Sequence, residues 1–228
     1  MKPIELIDAA EIPGGGQLRL LRCGTDFAIQ FGEDELMGST AFDTEEALAT
    51  LAISRLGSQR DRILIGGLGM GFTLRAALSS VQEHTSIVVA ELVPGVVTWA
   101  RGPLAHLFGD CLADPRVSIA ICDVHDFIAD SPLGFDAIML DVDNGPDGFI
   151  RDANDRLYCD WGLRSTFAAL RPGGVLAIWS AYDDPAFVGR LNKAGFTVEE
   201  ARIDDVWSRV SKHYTIWLAS KPMIGSGS

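Results

Sequence analysis

The segment from Arg62 to Gly71 places the strongest constraint on the fold of this chain. It reads Arg-Ile-Leu-Ile-Gly-Gly-Leu-Gly-Met-Gly, an apolar run that enters a loop with four glycines in six positions. Residues 72–80 are helix formers with apolar spacing, so the sequence predicts a strand, a glycine loop and a helix. Gly67, Gly69 and Gly71 allow positive φ or close approach of the backbone to a ligand. A nucleotide-type ligand is the first hypothesis, and a glycine-rich turn without a ligand is the alternative.

Further segments with strand character follow this unit, and most are apolar along their whole length. Continuous apolar character indicates strands covered on both faces, as in a parallel sheet with helices between the strands. The last two segments are joined by a polar connection and are predicted to pair antiparallel at one edge. The segments are residues 86–90, 117–121, 135–140, 174–179, 196–203 and 213–219.

The N-terminal region has a different pattern. Residues 4–12, 17–21 and 27–31 have strand character and are separated by glycine-rich turns, which predicts a small antiparallel meander. Asp43 is then predicted to cap a helix, with Glu46 reaching back as in a capping box. We therefore expect a β meander over residues 1–40 and an α/β domain over residues 41–228.

The composition restricts the kinds of molecule that this protein is expected to bind. Nineteen basic residues against thirty-one acidic residues give a net charge of −12, which disfavours nucleic-acid binding and suits a cationic substrate. No apolar run has the length of a membrane span, and the N-terminus lacks a signal-peptide layout, so we expect no membrane association and a cytoplasmic location. The four cysteines and four histidines show no ligand spacing, and no metal site is predicted.

Acidic residues stand at the ends of the predicted parallel strands. Ligands of open parallel sheets bind beyond these carboxyl ends. Glu91 follows Gly67 by 24 residues, the separation at which a carboxylate meets a ribose bound over the loop. Asp123 ends the next strand and either receives an adenine amino group or caps the following helix. Asp141 ends the strand after that.

The spacing of the loop glycines restricts the ligand further. A dinucleotide fold requires Gly-x-Gly-x-x-Gly, but Phe72 occupies the position of the last glycine, which disfavours a nicotinamide dehydrogenase. The Gly-x-Gly-x-Gly pattern resembles the first motif of class I S-adenosylmethionine-dependent transferases, and the Pro-Gly-Gly turn at residues 172–174 is similar to theirs. This resemblance implies a Rossmann-like, seven-stranded class I methyltransferase fold, here with a short N-terminal antiparallel β extension.

A narrower resemblance covers residues 17–180. Segments 65–75, 89–92 and 135–141 resemble successive motifs of the spermidine and spermine synthases, and the meander with residues 42–46 is similar to their N-terminal hairpins and gate helix. The resemblance implies that Asp141 contacts the attacking amine, that Asp123 contacts the adenine, and that a homodimer forms through the meander. The donor-binding residues that it implies are Gly67, Leu68, Gly69, Gly71, Glu91, Leu92, Asp123, Val124 and Asp141.

The residues after the fourth parallel strand suggest the chemistry. An amine nucleophile is protonated in water, and a carboxylate such as Asp141 can bind the cation and take up its proton during attack. Asp143 and Asn144 are predicted to orient the acceptor, while Tyr158 and Trp161 are predicted to form an apolar or cation-holding wall. The same Asp/Asn/Gly/Pro composition is also typical of an ordinary turn.

Four positions depart from the resembled synthases. Those enzymes carry an acid at the position of Gly69, a second aspartate at that of Asn144, a Tyr-His pair at those of Thr44 and Glu45, and a glutamine at that of Trp179. Because glycine does not repel a donor carboxylate, the sequence favours methyl transfer from S-adenosylmethionine to a small, amine-like acceptor. Aminopropyl transfer from decarboxylated S-adenosylmethionine and non-catalytic nucleoside binding are the alternatives.

Overall fold

The computed structural model describes residues 3–57, 61–142, 156–204 and 213–223. The first four strands form an antiparallel sheet in the order β1-β2-β3-β4. Their bounds are Ile4–Glu11 (β1), Gln17–Cys23 (β2), Asp26–Phe31 (β3) and Asp34–Gly38 (β4). The first three strands confirm the predicted extension. Strand β4 was not predicted, because Asp-Glu-Leu-Met-Gly carries no clear alternation of apolar and polar residues.

The remaining seven strands form one mixed sheet in the order β10-β11-β9-β8-β5-β6-β7. All pairs from β9 to β7 in this order are parallel, and β11 pairs antiparallel with both β9 and β10. This arrangement confirms the Rossmann-like fold and its antiparallel edge. The bounds are Arg62–Gly66 (β5), Ser86–Glu91 (β6), Val117–Ile121 (β7), Phe135–Leu140 (β8), Leu170–Ser180 (β9), Thr197–Asp204 (β10) and His213–Ser220 (β11).

Helices cover both faces of this sheet. Every residue of β8 is buried, as expected for a central strand between two helical layers. None of the helices in the described parts of the chain is long and apolar enough to cross a membrane. The helices are Asp43–Arg55 (α1), Phe72–Ser80 (α2), Pro94–Arg101 (α3), Ala105–Phe108 (α4), Val124–Ala129 (α5), Asp160–Ala169 (α6) and Pro185–Ala194 (α7).

Helix α1 begins differently from the prediction. The capping box of Asp43 and Glu46 is wrong: Phe42 is the N-cap residue and makes no side-chain capping bond. Glu46 instead accepts a hydrogen bond from Arg75 on α2 at 2.7 Å. Phe42 stacks on Phe72 with ring centroids 4.9 Å apart. The first turn of α1 therefore contacts α2 through Phe42 and Glu46 and does not close into a capping box.

The N-terminal sheet docks on the α/β body through β1 and α3. The indole Nε1 of Trp99, a fully buried residue, donates to Asp8 Oδ2 at 2.8 Å. A Cβ built on Gly95 would lie 2.3 Å from the Cβ of Ala10, so the two backbones approach as closely as glycine permits. The predicted domain boundary after residue 40 falls between β4 and α1, and it remains a prediction.

Candidate active site

The glycine loop between β5 and α2 has the conformation that its sequence predicts. Gly67, Gly69 and Gly71 have φ values of +89°, +49° and +83°. A Cβ on Gly67 would lie 2.4 Å from the backbone oxygen of Asp141, and a Cβ on Gly71 would lie 2.3 Å from the ring of Phe108. Glycine is thus required at both positions, since side chains would meet strained dihedrals and occupied space.

Glu91, the last residue of β6, is fixed against this loop. Only 7% of the residue is exposed. Its two carboxylate oxygens accept hydrogen bonds from the backbone amides of Leu68 and Val93, each at 2.8 Å. The carboxylate is therefore oriented before any ligand arrives.

A cavity of about 540 Å³ opens at the carboxyl ends of the strands, over the loop. Seven of the nine predicted donor-binding residues line it: Gly67, Gly69, Glu91, Leu92, Asp123, Val124 and Asp141. The other two do not line it. Leu68 is buried and donates its amide to Glu91, and Gly71 is the N-cap residue of α2. Both act behind the cavity wall.

Asp123 takes the helix-capping role and also lines the cavity, while its contact with an adenine remains a prediction. Its Oδ1 accepts a hydrogen bond from the amide of His125 at 2.9 Å, which caps α5. Its Oδ2 lies 3.7 Å from Nη1 of Arg156, and both residues line the cavity. The helix cap holds the carboxylate at the rim where a ligand base would lie.

Asp141 lies next to a second carboxylate that the sequence analysis did not identify. Asp141 Oδ2 accepts a hydrogen bond from Thr73 at 2.7 Å. Glu45 on α1 also lines the cavity, is 6% exposed, and accepts a hydrogen bond from Thr44 at 2.6 Å. Burial raises the pKa of both carboxyls, and the negative charge of Asp141 raises the pKa of Glu45 further.

A sequence signal for Glu45 did exist. Helical spacing places it on the same face as Leu48, Ala49 and Ala52, all of which are fully buried. A carboxylate on the buried stripe of an amphipathic helix requires a specific partner or a function. The interpretation of the sequence considered Glu45 only as a departure from the Tyr-His pair of the resembled synthases, and not as part of this buried stripe.

Two of the other four predicted residues are not described by the structure, and the other two do not line the cavity. Asp143 and Asn144 lie outside the described residues. The wall of Tyr158 and Trp161 is wrong, since neither residue lines the cavity. Tyr158 is buried with its ring edge-on to Phe187, and Trp161 packs against His125 with 57% of its surface exposed. Tyr158 thus belongs to the core beside α6, whereas Trp161 lies at the surface.

The N-terminal sheet supplies the opposite wall of the cavity, which sequence reasoning did not predict. Met37 on β4 lies over the glycine loop: a Cβ on Gly69 would be 2.8 Å from its Sδ and Cε atoms. The amide of Met70 donates to the same Sδ at 3.1 Å. Such contacts join residues far apart in sequence. The further wall residues from this sheet and its turns are Ile12, Pro13, Gly14, Gly15, Leu18, Ile29 and Leu36.

A smaller cavity of about 250 Å³ adjoins the first. Leu36, Met37, Glu45 and Trp179 line both. The smaller cavity also has an acidic lining, and no basic residue is among the described residues that form it. The acidic lining residues are Glu35, Asp43, Glu45 and Asp204.

The described residues contain no group of three or more metal-ligating side chains arranged to hold a metal ion. The seven-stranded sheet, the glycine loop and the carboxylate at the end of β6 define the class: the Rossmann-like fold of class I S-adenosylmethionine-dependent transferases. Residues 41–187 match the family model described as the spermine/spermidine synthase domain. The chain therefore belongs to the spermine/spermidine synthase family, which confirms the predicted resemblance at the level of the family.

Individual proteins are similar to this chain in sequence or in fold. The polyamine aminopropyltransferase of Mycobacterium tuberculosis is 30% identical over 162 residues, which cover 67% of this chain but 29% of that protein. The chain thus spans less than a third of this curated relative. A spermidine synthase in complex with the transition state analogue AdoDATO superposes with a TM-score of 0.78 at 18% identity, covering 96% of this chain and 74% of the other. The spermidine synthase of Thermotoga maritima superposes with a TM-score of 0.77 at 18% identity, covering 96% of this chain and 73% of the other.

Proposed function

We propose that this protein transfers an aminopropyl group from decarboxylated S-adenosylmethionine to a small amine. The observation that carries the proposal is the single cavity in which the glycine loop, Glu91 and Asp141 meet. Membership of the spermine/spermidine synthase family and the likeness to a polyamine aminopropyltransferase support this reaction. The methyl transfer favoured by the sequence has no comparable support, and the alternative is the better hypothesis.

The position of Met37 adds support for a decarboxylated donor. The sequence argument for methyl transfer was that Gly69, unlike an acid, does not repel a donor carboxylate, and it did not consider what lies over the glycine. In the structure the thioether of Met37 lies there, 2.8 Å from the position of a Cβ. A decarboxylated donor needs no room for a carboxylate at this point.

The donor would bind with its ribose at Glu91. Charged acceptors contribute about 1.5–3 kcal/mol per hydrogen bond, and the two amides that hold Glu91 keep it aligned for the ribose hydroxyls. The adenine would lie between Ala90, Leu92 and Val124, with Asp123 at its edge. The sulfonium end would then lie over Gly67 and Gly69, on the side of Asp141.

Because a sulfonium donor is already activated, the protein contributes to the reaction mainly by positioning the reactants. The lone pair of a neutral amine attacks the methylene carbon attached to the sulfonium; the C–N bond forms as the C–S bond breaks, and the bonding pair remains on sulfur. The products are methylthioadenosine and the alkylated amine, whose extra proton passes to Asp141. Holding nucleophile, carbon and sulfur in line contributes on the order of 7–11 kcal/mol. A carboxyl with a raised pKa is a better proton acceptor near neutral pH.

Calorimetric titration with decarboxylated and intact S-adenosylmethionine tests this proposal. We expect tighter binding of the decarboxylated donor and release of methylthioadenosine when 1,4-diaminobutane is added. Methylation of the amine by intact S-adenosylmethionine would contradict aminopropyl transfer. Donor binding without turnover of any amine would instead support the non-catalytic alternative. A homodimer and a cytoplasmic location remain predictions.

A further inference from the structure

Arg156 supplies the single basic side chain among the described residues that line the larger cavity. The proposed donor carries a positive sulfonium, and the acceptor amine is cationic in water. A guanidinium repels both of these groups, so its surroundings suit the uncharged part of the donor. The reaction proposed above gives Arg156 no role. The acidic lining residues of the same cavity are Glu45, Glu91, Asp123 and Asp141.

The strand order places Arg156 far from the reacting groups. Asp141 follows β8 and Asp123 lies just after β7, with β5 and β6 between these two strands. Neighbouring strands lie about 4.8 Å apart, so β7 and β8 are separated by roughly 14 Å. The guanidinium of Arg156 is on the β7 side, because it contacts the first turn of α5. Arg156 therefore lies at the base end of a donor whose sulfonium is beside Asp141.

Side chains at the start of α5 hold the guanidinium at this rim. Its Nη2 donates to Asp126 Oδ1 at 2.7 Å and lies 3.2 Å from Nδ1 of His125. Its Nη1 lies 3.7 Å from Asp123 Oδ2, which is an attractive distance but longer than a hydrogen bond. Within the described ranges, no residue accepts a hydrogen bond from this Nη1 or donates one to Asp123 Oδ2. An unused donor thus lies beside an unused acceptor.

Adenine presents the pattern that complements this pair. Its amino group is a donor beside an acceptor ring nitrogen, as on its major-groove edge, where the amino group lies next to N7. Guanine presents two acceptors at the corresponding positions, and one of them would face the carboxylate. The N–H groups of a guanidinium point in fixed directions, so Arg156 can bond to Asp126 and to a base at the same time.

We propose that Arg156 is a base-binding residue for the donor. Its Nη1 donates a hydrogen bond to the adenine ring nitrogen next to the amino group, while Asp123 accepts a hydrogen bond from that amino group. Asp126 and His125 position the guanidinium for this contact. The carboxylate of Asp123 can only accept, so Arg156 supplies the donor that recognition of a ring nitrogen requires. This inference rests on the proposed function for the presence of an adenosyl donor.

Titration with methylthioadenosine and its deaza analogues, in which CH replaces one ring nitrogen, tests the inference. The 1-deaza and 7-deaza analogues each lack an acceptor beside the amino group, and the 3-deaza analogue is the control, because its missing nitrogen lies away from that group. We expect at least one of the first two to bind about tenfold or more weakly than methylthioadenosine, since hydrogen bonds to charged groups are the strong ones. The 3-deaza analogue should bind nearly as well as methylthioadenosine.

Arg156→Met should weaken methylthioadenosine binding by a similar factor and abolish the difference between the analogues. Arg156 is exposed, so its replacement leaves the core intact. Arg164→Met is the matched control variant, because it removes the same charge from an exposed position on α6 outside the cavity. The difference between the analogues should persist in this control.

Three results would overturn the inference: equal binding of all the analogues by the unaltered protein, the same discrimination in Arg156→Met, or no binding of methylthioadenosine. The alkylated amine product measures the proposed function separately. If Arg156 discriminates between the analogues but no aminopropyl group is transferred, the proposed reaction is wrong and the inference stands. If transfer occurs without this discrimination, the inference alone is wrong.

Discussion

At the scale of single residues, Asp141 is the group on which turnover should depend most. Asn keeps the size of the side chain and its bond to Thr73 but cannot accept the proton of the attacking amine. We expect Asp141→Asn to lower turnover by about 10²–10⁴-fold, the range typical of a lost general base. Release of methylthioadenosine measures turnover. Unchanged turnover would exclude Asp141 as the base.

The carboxylate pair should also make stability depend on pH. Burial, reinforced by Asp141, raises the pKa of Glu45 from 4.5 to about 7 in the folded protein. The folded state thus holds a proton that the unfolded state releases at lower pH, so the stabilisation is complete below pH 4.5 and is lost as the pH rises through about 7. Urea unfolding of the ligand-free protein across this interval measures the effect. Glu45→Gln should flatten the profile, and an equally steep profile in this variant would contradict the assignment.

At the scale of secondary-structure elements, the β5–α2 loop should be intolerant of side chains. Gly67→Ala places a Cβ 2.4 Å from the backbone oxygen of Asp141 at a φ of +89°. We expect a loss of about 1–3 kcal/mol in unfolding free energy from backbone strain alone, together with weaker donor binding. Gly189→Ala on α7 is the control, because no atom lies within 4 Å of its added Cβ. That change should stabilise the helix by about 0.5–1 kcal/mol. Equal effects of the two changes would show that the loop is not constrained.

The elements differ in how well the sequence predicts them. The parallel strands and the loop are predictable, because continuous apolar runs and glycine spacing are local signals. Met37 is not predictable as a cavity residue, because its contact with Gly69 joins positions 32 residues apart through the docking of β4. To identify Glu45 as a cavity residue requires both a helical-wheel argument and knowledge of where Asp141 lies. Local patterns therefore predict the cavity wall that the α/β body forms, while the wall that the N-terminal sheet forms depends on tertiary packing.

At the scale of the whole molecule, the attachment of the N-terminal sheet should depend on Asp8. Asp8→Ala leaves the buried indole N–H of Trp99 without its acceptor. We expect faster amide exchange in β1 and α3 and a lower thermal midpoint. Hydrogen exchange read by mass spectrometry measures the first effect. Asp34→Ala, at an exposed position on β4 of the same sheet, should change neither quantity. The docking contact would be unimportant if both variants behaved alike.

The cavity has one wall from the α/β body and the other from the N-terminal sheet, so binding of the proposed donor would be thermodynamically linked to docking of that sheet. A ligand that contacts both walls binds only the docked form, and its apparent affinity is reduced by the fraction of molecules that are undocked. Conversely, the ligand at a hundred times its dissociation constant adds about 2.7 kcal/mol to the stability of the docked form. A donor bound there would hold the two sheets together, and resistance of β1–β4 to proteolysis would measure the fraction of molecules with bound donor.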